Sequence, residues 1–314
     1  MKLSKAVEGF TLDCAAGDYS PKTIQLYRGN LRILVDWIHD KELENITPLD
    51  LTHFMSYIRT EYKPSRFGGD TRPLSASAVD NYWKALRSFF RWCKAMLGIE
   101  RPDMNLKRPR YQLPEVVPFT EKEIKALVRA CDYTKRAATD KRRAYRMRRP
   151  TAKRDRDLLL LMIDTGLRLG EVCRLTVKDV NLENGEIRVL PHGSGIKSKP
   201  RTVHLGRAAR QAIWHHLADR EDAREDDPVF CMAVRTVQSF VRRLGERAGV
   251  KRVHAHRFRH TFAIQYLRNG GDVFTLQRLL GHSSLEMVRH YLAIAQTDTK
   301  DAHRRASPAD RWRL

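Results

Sequence analysis

The chain has 314 residues, 42% of them hydrophobic, enough for two compact domains with cores of their own, and its 59 Lys and Arg outnumber 37 Asp and Glu to leave a formal charge of +22. So basic a chain binds a polyanion through counterion release, and a nucleic acid is the expected partner. Five cysteines, odd in number and without CxxC spacing, argue against a disulfide framework and a zinc site, while the absence of any long apolar run argues against secretion and membrane insertion and leaves a reducing, cytoplasmic compartment.

Residues 1–108 read as a helical module. Ser20-Pro21 joins an N-cap to a proline at the first helical position, and Ile24, Tyr27, Leu31, Leu34 and Ile38 follow at helical spacing. Thr47-Pro48 repeats the signal before Leu51, Phe54 and Ile58. A further helix from about Ser77 to Leu97 would bury Val79, Trp83, Leu86, Phe90 and Cys93, and its opposite face carries Lys84, Arg87, Arg91 and Lys94. Such a stripe is either a solvated face or a phosphate-contacting one, and the charge of the whole chain favours the second.

The stretch RPDMNLKRPRYQLPEVVP, residues 101–118, has four prolines and no helical period, so residues 109–118 are expected to link the module to a second domain, 119–314. That domain opens on a capping box, Thr120 to Glu123, before Ile124 and Leu127. Between residues 133 and 156 the segment YTKRAATDKRRAYRMRRPTAKRDR is dense in Arg and Lys; a disordered insertion, a solvated helix face and a DNA-contacting arm all fit it. A buried helix, LLLLMIDT, ends at Gly166 in a C-cap position. Residues 186–191 and 201–205 alternate as strands around HGSGIKSK, and helical patterns then run to the end. The expected class is mainly α with a small antiparallel β-sheet.

Six positions carry the chemistry. Arg168 emerges just past the Gly166 corner, where a rigid backbone would aim its charge at one point, and Glu171 three residues later can complement the helix dipole or orient Arg168. In HAHRFRHTFAIQYL, Phe258, Phe262 and Tyr266 recur every four residues and are expected in the core, while His256 and Arg259 share a neighbouring ridge. His282 follows Gly281 at a helix end, and Ser283 with Glu286 would cap the helix that carries Tyr291 about two turns in. A hydroxyl nucleophile among cations and imidazoles is suited to breaking a phosphodiester without a metal or other cofactor.

TGLRLGE, HAHRFRHTFA, LLGHSS and the nine-residue step from His282 to Tyr291 together resemble the tyrosine recombinase, or phage integrase, family, and SPKTIQLYRGNL and LSASAVDNYWKALRSFF resemble its core-binding, SAM-like domain. The resemblance implies that Tyr291 is the nucleophile of a 3′-phosphotyrosyl intermediate, that Arg168 and Arg259 clamp the scissile phosphate, and that His256 assists proton transfer from the phenol. It implies that His282 hydrogen-bonds the phosphate, that Glu171 is the supporting acid, and that His260 is structural. The family's hairpin lysine has an imperfect match in HGSGIKSKPR, where His192 stands at the commonest lysine position; Lys197 is the expected general acid and Lys199 its alternative. A simple Xer-like or Cre-like recombinase without an arm-binding domain is implied, working as a homotetramer on two DNA sites, with the tail TDTKDAHRRASPADRWRL and its Trp312 packed on a neighbouring subunit. A type IB topoisomerase or a silent basic DNA-binding protein are the alternatives, and the HxxR and LGH spacing favours the recombinase.

Overall fold

The computed structural model describes residues 1–65, 71–111, 115–134, 137–139, 142–191, 200–220, 222–295, 303, 307 and 309, the side chains of 137–139, 142–144, 287 and 290 excepted. These residues fall into two compact units that divide at residue 115.

The first unit is helical: α1 (Leu3–Ala16), α2 (Pro21–Trp37), α3 (Pro48–Thr60) and α4 (Ala76–Leu97). Ser20 and Thr47 cap α2 and α3 through the Thr23 and Asp50 amides, with proline at the first helical turn of each. The first helix has no side-chain cap, which is why no start signal marks it, and Asp40 holds it by accepting from the Ser4 amide at 2.8 Å and the Ser4 hydroxyl at 2.9 Å. All four helices converge on Phe10, Leu31, Leu34, Phe54, Phe89 and Phe90.

Helix α4 meets that core through Val79, Tyr82, Ala85, Leu86, Phe89, Phe90 and Cys93. Trp83, expected inside, is only half-buried, because Tyr82 takes the core-facing position and the indole turns outward. There its Nε1 donates to the Leu106 carbonyl at 3.0 Å, and the guanidinium carbons of Arg87 and Arg108 each stand 5.5 Å from the ring centroid. Segment 101–111 thus lies along α4. Arg108 chelates the buried Asp80 at 2.8 and 3.0 Å, Lys84 reaches the same carboxylate at 2.8 Å, and Arg87 meets the buried Asp103 at 3.2 Å and its carbonyl at 2.9 Å. Of the four cations assigned to a DNA-facing ridge, Lys84 and Arg87 therefore pair within the unit, while Arg91 and Lys94 are exposed.

The second unit begins with α5 (Glu121–Ala130), whose Thr120–Glu123 capping box forms as expected. Glu123 also accepts from Arg257 at 3.1 Å, so the box is tied to a later helix. Within the basic segment Ala137–Thr139 and Arg142–Tyr145 pair as a two-stranded antiparallel ribbon, β1 and β2, and Tyr133 and Arg148 form an isolated antiparallel bridge. Residues 152–156 of the same segment open α6 (Ala152–Thr165), which places Lys153, Arg154 and Arg156 on a helix. After α7 (Leu169–Arg174) comes an antiparallel sheet of β3 (Val180–Asn181), β4 (Glu186–Val189) and β5 (Arg201–His204), in that order. Ile187 opposite Val203, with Val189 one step along, places the sheet's apolar face on the main core.

Helices α8 (Arg207–Ala218), α9 (Val234–Ala248), α10 (Ala255–Arg268), α11 (Val273–Leu280) and α12 (Glu286–Ala295) complete the unit. Phe258 of α10 is fully buried against Phe119, whereas Phe262 and Tyr266, expected beside it, are half-buried at a smaller cluster of Ile264, Leu267, Leu276, Leu280, Val288 and Tyr291. The last helix starts later than its sequence suggests: the Val288 and Arg289 amides bond to the Leu285 carbonyl, and Glu286 is its first residue. Ser283 is not its cap, and Tyr291 lies about one and a half turns in. Among the described residues no helix is long and apolar enough to cross a membrane.

Candidate active site

Two chain corners and one helix build the site. At the first, Gly166 ends α6 with φ 60°, and a Cβ there would stand 2.3 Å from the Phe262 ring, so only glycine suits both the backbone and the packing of α6 on α10. The next turn delivers Arg168 to the N-cap of α7. Glu171 accepts from the Arg168 amide at 2.8 Å and from its Nη1 at 3.1 Å, while Nη2 reaches the Gly281 carbonyl at 3.3 Å.

Glu171 is itself held by a residue that sequence reasoning overlooked. Arg201, the first residue of β5, has a side chain 6% exposed that donates to both Glu171 oxygens at 2.9 and 2.7 Å, and its Nε donates to the Leu279 carbonyl at 2.7 Å. Burial would raise the Glu171 pKa, but Arg201 and Arg168 bring it down to about 2, so the carboxylate stays charged and fixes both guanidinium planes. The only sequence signal for Arg201 was a lone buried-strand arginine directly after the glycine-rich hairpin.

The second corner is the end of α11. Arg259 of α10, 2% exposed, donates to the Gly166 carbonyl at 2.8 Å and, through Nη2, to the Leu280 carbonyl at 2.6 Å and His282 Nε2 at 2.9 Å. Desolvation and then Arg168 lower its pKa to about 9, which leaves it cationic at neutrality. Because a guanidinium can only donate, His282 Nε2 must accept, and the neutral imidazole carries its proton on Nδ1. That Nδ1 is buried and has no hydrogen-bond partner among the described residues. Desolvation, reinforced by Arg259 and Arg168, lowers the His282 pKa to about 4, so the ring is neutral under physiological conditions. An oriented, unspent N–H beside two guanidinium groups is a ready donor for an oxyanion.

Helix α12 supplies the hydroxyl. Tyr291 is 6% exposed, its ring lies 6.3 Å from that of His282 at 16°, and its oxygen is 2.8 Å from His260 Nδ1. Burial raises the phenol pKa, against the pull of Arg259 and Arg168. His256, one turn before His260, is exposed and meets the His260 ring edge-on at 5.1 Å; desolvation and then Arg259 lower its pKa. Arg168, Glu171, Arg259, His260, His282 and Tyr291 are thus brought together, with His256 at the margin. Lys197 and Lys199, between β4 and β5, and Trp312 with most of the tail lie outside the described residues. No group of three or more His, Cys, Asp or Glu side chains suited to a metal ion occurs among the described residues.

A second basic feature was not anticipated. Arg149, Arg154, Arg235, Arg243 and Arg247 surround a cleft of about 440 Å³ along α9. The Arg247 Nη2 is buried there without a hydrogen-bond partner among the described residues, and desolvation followed by Arg149 lowers its pKa. Its sequence signal was present: Arg235, Arg242, Arg243 and Arg247 flank an apolar stripe of Val237, Phe240, Val241 and Leu244.

Residues 118–298 match the phage integrase family, and residues 7–99 match the phage integrase N-terminal SAM-like domain. Tyrosine recombinase XerC of Xanthomonas axonopodis pv. citri (strain 306) is 30% identical over 292 residues, covering 87% of this chain and 86% of that protein. Tyrosine recombinase XerA of Saccharolobus solfataricus is 27% identical over 285 residues, covering 90% and 86%. In fold, the chain is similar to the Tn1549 transposon integrase in complex with a circular intermediate DNA, at a TM-score of 0.72, 19% identity and coverage of 98% and 99%. It is likewise similar to a lambda integrase dimer bound to a COC′ core site, at a TM-score of 0.68, 18% identity and coverage of 91% and 97%.

Proposed function

The chain belongs to the phage integrase family of tyrosine recombinases, and on that premise we propose that it is a site-specific recombinase of double-stranded DNA that cuts and rejoins strands through a 3′-phosphotyrosyl intermediate on Tyr291. The observation that carries this reading is the meeting of Arg168, Arg259 and the unspent His282 Nδ1 on the loop beside the Tyr291 ring.

A phosphodiester bound there would offer its nonbridging oxygens to the two guanidinium groups and to the His282 N–H. These donors strengthen as charge builds on the phosphoryl oxygens in the transition state, and they are already fixed by Glu171, Arg201 and three backbone carbonyls, so little reorganisation is needed. Tyr291 Oη then attacks phosphorus, the bond to the 5′ oxygen breaks, and the 3′ end stays on the enzyme. Lys197 is the general acid that protonates the departing 5′ oxygen, with Lys199 its alternative. Return attack by a 5′ hydroxyl reverses the step, so bond energy is conserved and neither cofactor nor metal takes part. Residues 1–108 form the core-binding domain, 109–118 the linker and 119–314 the catalytic domain. The exposed Arg91 and Lys94 and the arginine cleft along α9 contact duplex phosphates. A homotetramer holds two sites for strand exchange in the cytoplasm. The match of residues 7–99 to an integrase N-terminal domain favours this reading over a topoisomerase.

The test is covalent capture. A target duplex selected by affinity from a random library, nicked near the cleavage point, is incubated with the protein and run on a denaturing gel. Wild type should yield a protein–DNA adduct, and Tyr291→Phe, whose ring still packs, should bind equally and yield none. Undiminished adduct from the variant would overturn the assignment.

A further inference from the structure

His260 stands where the family pattern offers only a structural residue, yet it makes the direct contact to the phenol. Its Nδ1 lies 2.8 Å from Tyr291 Oη, within the range for a well-formed bond between these groups, and the rings are 5.5 Å apart at 50°. The two side chains come from facing elements, α10 and α12, which pack over Ala263, Ile264, Val288 and Ala295, so the contact is set by the core of this region and not by a surface rotamer. His256 is placed one turn earlier on the same helix, exposed, with its ring edge-on to that of His260.

Building on the assignment of Tyr291 as nucleophile, we propose that His260 is a catalytic residue, the base that takes the phenolic proton during strand cleavage and returns it during rejoining. In the ground state the neutral imidazole carries its hydrogen on Nε2, and Nδ1 accepts the Tyr291 O–H. As the Oη–P bond forms and the P–O5′ bond breaks, the proton passes to Nδ1 and leaves an imidazolium beside the phosphoryl group. The 5′ oxygen takes its own proton from the general acid. In the reverse step the departing phenolate recovers its proton from His260.

The need for such a base follows from the burial of the phenol, which keeps Tyr291 protonated at neutral pH and makes proton removal part of the attack. The titratable and charged groups around the pair are His256 on α10, His282 after α11, and Arg168 and Arg259, whose charges act on the phenol. His256, at the exposed margin, then serves to hold the His260 ring edge-on, a positioning role in place of the direct one implied by the family pattern.

Single-turnover cleavage of the nicked duplex at saturating protein, followed from pH 6 to 9.5, separates a base from a spacer. His260→Ala removes the imidazole; His260→Asn keeps a polar group near the Nδ1 position that can accept the hydrogen bond but cannot hold the proton. With melting and DNA binding at parental values, both should cleave on the order of a hundredfold slower at pH 7. Both should recover by about tenfold per pH unit as hydroxide takes over the task. Replacing Tyr291 by difluorotyrosine, whose phenol ionises nearer neutrality, should restore both variants, whereas a 5′-bridging phosphorothiolate, which removes the need for a general acid, should restore neither. Parental rates for His260→Asn, a deficit indifferent to pH and fluorination, or rescue by sulfur would overturn the proposal. Failure of the underlying assignment is distinct, since it shows as adduct formed by Tyr291→Phe.

Discussion

The two units place their cations differently. In the helical unit the ridge of α4 is partly neutralised from within: Lys84 and Arg108 share the buried Asp80, Arg87 and Arg101 share the buried Asp103, and Arg91 and Lys94 are exposed. The Arg108 hydrogen bonds outweigh burial and hold the Asp80 carboxyl at about 2. In the catalytic unit Arg259 is held by carbonyl dipoles and a neutral imidazole, and the Arg247 Nη2 has no hydrogen-bond partner among the described residues. Carbonyls orient a guanidinium without cancelling its charge, so the second arrangement keeps its field for a ligand. Counting Lys and Arg along a helix therefore overstates the first unit as a phosphate surface and understates the second.

The largest expected effect on stability tests the exception within the catalytic unit, the Glu171 anchor. Arg201→Ala strips a bidentate partner from a buried carboxylate and should cost about 3 kcal/mol in urea unfolding. Adding Glu171→Gln to remove the stranded charge should regain part of that loss. An unchanged unfolding midpoint for Arg201→Ala would mean that Arg168 alone fixes Glu171.

A smaller effect sharpens the contrast between buried carboxylates. Asp157 on α6, unlike Asp80, has an oxygen without a hydrogen-bond partner among the described residues, and burial raises its pKa to about 6, against the pull of Lys153 and Arg156. His216 donates through Nε2 to the Val229 carbonyl at 2.9 Å and so turns a bare Nδ1 toward Asp157, 3.9 Å away. With a folded pKa above the unfolded one, near 3.9, protonation favours the folded state, and stability is lost as pH rises through 6. Asp157→Asn should therefore stabilise the chain by about 1–2 kcal/mol at pH 7.5. Thermal melts at pH 4.5 should show most of that gain gone; equal gains at both values would contradict the raised pKa.

Features set by a few adjacent residues were legible in the sequence: the caps at Ser20, Thr47 and Thr120, and the left-handed corner at Gly166. What depends on distant partners was not. Trp83 and Tyr82 differ by one position on a helix, and the choice of which enters the core was made by the packing of α4 on the other three helices together with the Leu106 carbonyl. Asp80 and Asp103, 23 residues apart, lie outside any cationic stripe a helical projection displays. The basic ribbon of β1 and β2 lacks the alternation of apolar and polar residues that marks a strand, so its arginines concealed its conformation. At the site, the order and spacing of Arg168, Arg259, His282 and Tyr291 were readable, whereas the Arg201–Glu171 pair and the His260–Tyr291 bond join residues 30 and 31 positions apart and exist only once the helices pack.

The contrast between cations that only attract DNA and cations that act on the reacting phosphate is tested most directly by measuring single-turnover cleavage at saturating protein beside equilibrium affinity for the same duplex. Arg168→Ala and Arg259→Ala should each slow cleavage by on the order of a hundredfold with affinity changed little, because many other cations hold the duplex. Arg91→Ala and Lys94→Ala should weaken binding and flatten its salt dependence while the rate at saturation stays parental. Parental cleavage by either clamp variant, or a rate loss at saturation in the α4 variants, would contradict the division of labour drawn from the structure.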